Sequence, residues 1–104
     1  MRSCVAILFI VAVLAGGCSQ SPSDPLAERG RQVYLAQCTQ CHAVDPLQPG
    51  PVGPPVRGAS RELLEARILK GSYPPGYTPK RPTHVMQPQP VVAPDIPALA
   101  AYLK

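Results

Sequence analysis

The chain has 104 residues, carries a formal net charge of +4 and contains no tryptophan. This length allows one domain at most, and the 15 prolines argue against a bundle of long helices. The hydrophobic fraction of 45% is too high for a disordered chain. Basic residues are not interleaved with aromatic ones, so we expect no nucleic-acid binding.

The first 17 residues are predicted to form a signal peptide. Met1 and Arg2 give a short positive start, and an apolar run from Val5 to Ala15 follows them. This run is shorter than the roughly 20 apolar residues that a membrane-spanning helix needs. An uncleaved anchor or a buried helix is the alternative interpretation of the same run.

The sequence LAGGC, which ends at Cys18, resembles the lipobox of bacterial lipoproteins. The resemblance implies cleavage after Gly17 and a diacylglycerol thioether on Cys18, which would anchor the protein to a membrane. Ala15 stands where the lipobox usually has leucine. We therefore expect a lipid-anchored protein of the cell envelope that faces the periplasm.

Processing after Gly17 would leave residues 18–23 as a polar tether and residues 24–104 as the folded domain. The 87 residues from Cys18 onward are marginal for a stable core without a staple or a cofactor. Few aromatic side chains are available to fill the centre of such a domain. This shortage argues for a large apolar cofactor.

Three helices are predicted in the domain and no segment predicts a strand, so the fold class is all-α. Asp24 and Pro25 are an N-cap and a first turn for a helix that runs to Cys38. Gly30 in the apolar stripe of this helix suggests that another helix crosses closely there. The stripe consists of Leu26, Gly30, Val33 and Tyr34.

The second predicted helix begins after Ser60 as its N-cap and ends before Gly71 as its C-cap. The third begins near Pro94 or Asp95 and runs to Lys104. Their buried stripes are predicted to be Leu63, Leu64 and Ile68 in the second helix, and Ile96, Leu99 and Leu103, with Tyr102 beside them, in the third.

Two long loops rich in proline and glycine, residues 42–58 and 72–93, separate the predicted helices. Structureless loops of this length are uncommon in a compact domain unless they are functional. We therefore expect functional residues in both loops.

The sequence CTQCH, from Cys38 to His42, lies at the end of the first predicted helix. It permits a disulfide or redox pair, a zinc site, a chance occurrence or covalent haem attachment. A thioredoxin-like pair needs a βαβ context that is lacking, and the adjacent Cys41 and His42 fit a zinc tetrahedron poorly. Thiols three residues apart near a helix end project in similar directions. Both can reach the two vinyl groups on one side of a porphyrin while His42 binds the iron, so we expect haem c.

With this motif the chain resembles the small single-haem c-type cytochromes of class I. GRQVYLAQCTQCH from Gly30 is similar to their first helix, GPPVRG from Gly53 to their loop after the motif, and DIPALAAYLK from Asp95 to their last helix. The resemblance implies a small cytochrome c fold with three main helices and long Pro-rich loops around one haem. It also implies that the carbonyl of Pro54 accepts a hydrogen bond from His42, which fixes the tautomer of the ring.

Met86 is the candidate sixth ligand, because the family places a methionine before the last helix, usually followed directly by proline. Here Gln87 intervenes before Pro88. A lone methionine often only fills a gap in the core, and His84 is the rival ligand. A third possibility is that no strong sixth ligand exists, which would leave a site for a small molecule.

Ligation by both His42 and Met86 would leave no place for a substrate, so we expect a one-electron carrier rather than an enzyme. A thioether ligand favours ferrous iron and raises the reduction potential. From Cys18 onward the chain has nine basic and six acidic residues, which modestly favours redox partners with an acidic docking surface. The alternatives are a fixed haem subunit of a larger oxidoreductase complex and a haem sensor of small ligands.

Other residues of the two loops are candidates to contact the haem. Three basic residues could pair with the haem propionates or could simply be solvated surface charges: Arg57, Lys80 and Arg81. Tyr73 and Tyr77 are candidates to pack on the haem ring.

Overall fold

The structure is a computed structural model that describes residues 24–104. Its helical segments are α1 (Pro25–Gln37), α2 (Arg61–Glu65) continued by a π-helical turn (Ala66–Lys70), a 3₁₀ helix (Pro90–Asp95) and α3 (Ile96–Leu103). Residues 24–104 contain no strand, so the predicted all-α fold is confirmed. The predicted signal peptide, Cys18 and the tether lie outside the described residues. Within the described range no helix is long and apolar enough to cross a membrane.

Helix α1 begins at the predicted N-cap and ends at Gln37, one residue before its predicted end at Cys38. The carboxylate of Asp24 accepts a hydrogen bond from the Leu26 N–H at 3.0 Å, and Pro25 is the first helical residue. At the other end the Cys38 N–H donates to the Tyr34 carbonyl at 2.9 Å. The CTQCH sequence therefore starts at the residue that caps α1.

Helices α1 and α3 cross at Gly30, as its place in the apolar stripe suggested. A Cβ at Gly30 would overlap the carbonyl of Ala98 and lie 2.8 Å from the Cβ of Tyr102. Beside this contact the rings of Tyr34 and Tyr102 pack with their centroids 5.7 Å apart. Leu26, the first residue of the predicted apolar stripe, is 49% exposed, whereas the other residues of that stripe are buried. Leu26 lies one turn before the crossing with α3.

The core is built from α1, α3 and the 3₁₀ helix, together with Ile68 of the π-helical turn. The buried stripe predicted for α3 is confirmed, and Leu99 is only 1% exposed. In the second helix only Ile68 of the predicted stripe is buried, while Leu63 and Leu64 are half-buried. The buried apolar cluster consists of Val33, Tyr34, Ile68, Val92, Ile96, Leu99 and Leu103.

The second helix changes its hydrogen-bond pattern halfway along. Ser60 caps its start by accepting from the Leu63 N–H at 3.1 Å, and Gly71 ends it at a φ of 64°, both as predicted. The π-helical turn between them was not predicted. Arg67 lies within this turn and is 8% exposed, and it is the one charged side chain that is buried among residues 24–104.

The last helical segment starts earlier than predicted. Pro90 begins the 3₁₀ helix, and α3 continues from Ile96, whereas the predicted start was near Pro94 or Asp95. Proline fixes φ near helical values and lacks a backbone N–H. Two prolines within five residues disfavour an α-helix, but a short 3₁₀ segment accommodates both Pro90 and Pro94.

Candidate functional site

The CTQCH sequence forms a tight turn at the end of α1. The N–H groups of Cys41 and His42 both donate to the Cys38 carbonyl, at 3.3 and 3.0 Å. Cys38 packs against the core and Cys41 is exposed, and both are free thiols. Burial raises the pKa of the Cys38 thiol to about 11. The two thiols and the imidazole therefore belong to one compact turn.

His42 is held on two sides by the loop that follows it. Its Nδ1 lies 2.9 Å from the Pro54 carbonyl oxygen, which is the contact that the resemblance implied. A Cβ at Gly53 would come within 2.5 Å of Nδ1 and 2.9 Å of Nε2, so this backbone lies directly against the ring. Because a carbonyl only accepts, Nδ1 carries the hydrogen. In the neutral ring Nε2 is then the nitrogen without a hydrogen, which is the form that binds a metal.

The loop that carries this carbonyl folds back onto the CTQCH turn. The N–H groups of Val52 and Gly53 both donate to the Cys41 carbonyl, at 3.2 and 2.7 Å. The hydroxyl of Tyr34 in α1 donates to the Ala43 carbonyl at 2.5 Å. The orientation of the imidazole is therefore set by α1 and by the returning loop together.

The two candidates for the sixth ligand lie in different surroundings. Met86 is half-buried and packs against the core, whereas His84 is exposed. The Met86 carbonyl also accepts a hydrogen bond from Arg67 Nη2 at 3.4 Å. The second Pro-rich loop thus directs Met86, rather than His84, toward the interior of the domain.

Arg67 is a residue of this region that the sequence reasoning missed. Its Nη1 donates to the Gly71 carbonyl at 2.8 Å, and its guanidinium lies 4.2 Å from the centroid of the Tyr73 ring. Tyr77 stacks on Tyr73 with centroids 5.5 Å apart and planes 7° apart. A signal was present, because position 67 lies on the apolar stripe, three residues after Leu64. A basic residue on that stripe is a buried cation that needs partners.

The three basic residues considered as propionate partners donate to backbone carbonyls. Arg57 donates to the Tyr102 carbonyl at 2.5 Å, and its guanidinium lies over the Tyr102 ring. These contacts connect the first loop to α3. Lys80 donates to the Pro55 carbonyl at 2.9 Å, and Arg81 donates to another carbonyl of the same loop at 2.5 Å. These contacts join the two long loops to each other.

A zinc site lacks its ligands in the described part of the chain. Among residues 24–104 no three His, Cys, Asp or Glu side chains come together as a metal site, and a structural zinc site needs four ligands. Two open surface depressions, one near Gly58 and one near Arg29, are not lined by the residues of the CTQCH turn or by Met86. The candidate site is therefore identified by the sulfur and nitrogen atoms of Cys38, Cys41, His42 and Met86, and not by a surface depression.

Comparison with known protein families decides between the remaining interpretations of these donors. A family model described as cytochrome c matches residues 27–104. The chain belongs to the cytochrome c family. Its cofactor is therefore covalently attached haem c with its iron, and haem-based electron transfer rather than catalysis is typical of this family. No curated protein and no solved structure matches the chain.

The residues of this cytochrome c fit that cofactor. Cys38 and Cys41 are free thiols in one turn, and thiols of this kind form the thioether bonds of haem c. Nε2 of His42 is left as a nitrogen donor, and Gly53 keeps the ring in place. When bound, haem c supplies a one-electron redox centre, and these side chains would attach it and orient it.

Proposed function

We propose that this cytochrome c is a class I carrier of single electrons, with His42 and Met86 as the two axial ligands of the iron. Cys38 and Cys41 would hold the haem through thioether bonds. The observation that carries the proposal is the packing of Met86 against the core beside an exposed His84. With both axial positions filled by the protein, no position is left for a substrate, so the protein is a carrier and not an enzyme.

The proposed ligands also determine the expected reduction potential. A thioether stabilises ferrous iron relative to a second nitrogen ligand and so raises the potential. The described domain has nine basic and six acidic residues. We expect its redox partners to present an acidic surface, with modest steering at low ionic strength.

Visible spectroscopy of the purified holoprotein tests this proposal. A thioether on ferric low-spin haem gives a weak charge-transfer band near the red end of the spectrum, and we expect that band in the oxidised protein. We also expect the reduced protein to bind carbon monoxide poorly. Absence of the band together with ready binding of carbon monoxide would refute the carrier and favour a sensor of small ligands.

Attachment of the haem is tested separately by mass spectrometry. The exported protein should carry a haem adduct, because Cys38 and Cys41 are the two thiols of the described domain. The double variant Cys38→Ala/Cys41→Ala should carry none. A wild-type protein without the adduct would contradict the proposed attachment.

We further propose that the domain is tethered to a membrane through Cys18, with residues 1–17 as signal peptide and 18–23 as tether. The LAGGC sequence supports this assignment, and the first described helix begins just after the tether. The carrier would face the periplasm. Cys18→Ser should give an uncleaved precursor or a soluble protein. Recovery of the wild-type protein in the soluble fraction, with a free N-terminus elsewhere, would refute the lipid anchor.

A further inference from the structure

The end of the second helix contacts the segment that carries Met86, residues 86–89, at three points. Two of the contacts are hydrogen bonds to backbone groups, and the third is a packing contact. Together they join two segments that are nearly 20 residues apart in the chain. The contacts are Arg67 Nη2 to the Met86 carbonyl oxygen at 3.4 Å, Gly71 against Pro88, and the Gln89 N–H to the Ile68 carbonyl oxygen at 2.7 Å.

The π-helical turn makes one of these contacts possible. In a regular α-helix the Ile68 carbonyl would accept from the N–H four residues later, at Ser72. Here the Ser72 N–H donates to the Ala66 carbonyl at 3.0 Å, and the Ile68 carbonyl is free to accept from Gln89. Single π-helical turns occur frequently at functional sites. The irregular end of this helix therefore provides the docking point for the Met86 segment.

Arg67 is the unusual residue at this contact. It is 8% exposed, and none of the ion pairs among residues 24–104 includes it. A buried charge is costly unless its hydrogen-bonding groups find partners. The partners of this guanidinium are the carbonyls of Gly71 and Met86, and its central carbon lies over the Tyr73 ring. A buried cation with these partners joins the helix end to the Met86 segment.

We propose that Arg67 is a positioning residue that holds the Met86 segment in place for binding of the iron by Met86. This inference rests on the proposed function, because it takes Met86 as the sixth ligand. Arg67 acts through the backbone of Met86 and has no role of its own at the iron. A guanidinium binds two carbonyls at once while it stacks on a ring, which a lysine ammonium does not reproduce. Loss of Arg67 would let Met86 leave the iron more often.

The rate of cyanide binding to the oxidised holoprotein measures how often the sixth position opens. We expect Arg67→Met to raise this rate about tenfold, since a hydrogen bond from a charged donor is lost. The charge-transfer band should weaken in the same variant. Arg67→Lys keeps the charge and should show most of the same effect. The matched control is Arg61→Met, which removes a positive charge from an exposed site on the same helix and should change neither property.

The outcomes separate this inference from the proposed function. If the wild type has no band, or Met86→Ala leaves its band unchanged, the proposed function fails and this inference fails with it. If the wild-type band depends on Met86 but both Arg67 variants match Arg61→Met in rate and band, the inference alone is overturned. If Arg67→Met yields no holoprotein, two other variants test whether Arg67 positions Met86. These are Arg67→Lys and Tyr73→Leu, and the second removes the ring beneath Arg67. Cyanide rates for both within twofold of the control would contradict the inference.

Discussion

The carbonyl oxygen of Pro54 lies 2.9 Å from Nδ1 of His42, twelve residues earlier in the chain. The hydrogen bond fixes the tautomer of the imidazole and leaves Nε2 for the iron. Because the acceptor is a backbone carbonyl, side-chain substitution at Pro54 does not remove it directly. The position of this carbonyl depends instead on Gly53, whose backbone lies against the ring.

Gly53→Ala should impair haem incorporation. The added Cβ would lie within 2.5 Å of Nδ1, a separation that forces the ring or the loop to move. We expect a lower yield of holoprotein and an altered spectrum of the remainder. The control is Val52→Ala, a truncation at the exposed neighbouring position of the same loop. Equal holoprotein yields for the two variants would contradict the prediction.

Gly30→Ala should destabilise the fold, although alanine is the better helix former. The gain in helix propensity is about 1 kcal/mol. The new Cβ would overlap the carbonyl of Ala98, and overpacking of this kind costs about 1–3 kcal/mol or more. Since the obstacle is backbone, α3 as a whole has to shift, so we expect a cost in the upper part of this range and a net loss of about 1–2 kcal/mol by denaturant unfolding.

The matched control for Gly30 is the reverse change at an exposed position of the same helix, Ala36→Gly. It should cost about 1 kcal/mol from propensity alone. If Gly30→Ala instead raised the free energy of unfolding by a similar amount, the close crossing of α1 and α3 would be contradicted.

Tyr34 should make stability depend on pH in the alkaline range. Its hydroxyl donates to the Ala43 carbonyl, and burial raises the pKa of Tyr34 from about 10 to about 12. A folded-state pKa above the unfolded one stabilises the fold fully below pH 10, and this contribution is lost as pH rises toward 12. At 1.36 kcal/mol per pKa unit, the shift corresponds to about 2–3 kcal/mol.

Comparison of the wild type with Tyr34→Phe isolates this effect, because other alkaline changes occur in both proteins. Near pH 7 the variant should be less stable by about 1 kcal/mol, the contribution of one hydrogen bond. Between pH 10 and 12 the difference in the free energy of unfolding should shrink and then reverse. A difference that stays constant over this range would show that Tyr34 does not titrate as its burial requires.

The parts of the fold that could be predicted depend on local interactions. The caps at Asp24, Ser60 and Gly71 are signalled by residues within a turn of the helix end that they close. The crossing at Gly30 could be predicted because an interior glycine is costly in a helix unless space demands it. The exposure of Leu26 could not be predicted from the spacing of apolar residues, because it depends on which distant segments pack against α1.

At the candidate site the sequence predicted the donors but not how they are held. CTQCH is a local sequence with a defined chemistry, and the Pro54 carbonyl followed from the family resemblance. The π-helical turn and the burial of Arg67 depend on a segment nearly 20 residues further along. No local pattern indicates that the Gln89 N–H donates a hydrogen bond to the Ile68 carbonyl. The second helix was therefore predicted to be regular.

Met86, and not His84, is the proposed sixth ligand of the iron. The most direct test is the red-end charge-transfer band of the oxidised holoprotein in the variants Met86→Ala and His84→Ala. The core contact of Met86 and the exposure of His84 predict that Met86→Ala abolishes the band, lowers the midpoint potential and opens the iron to cyanide. His84→Ala should keep all three properties of the wild type. A band that survives Met86→Ala, or is lost in His84→Ala alone, would show that Met86 is not the sixth ligand.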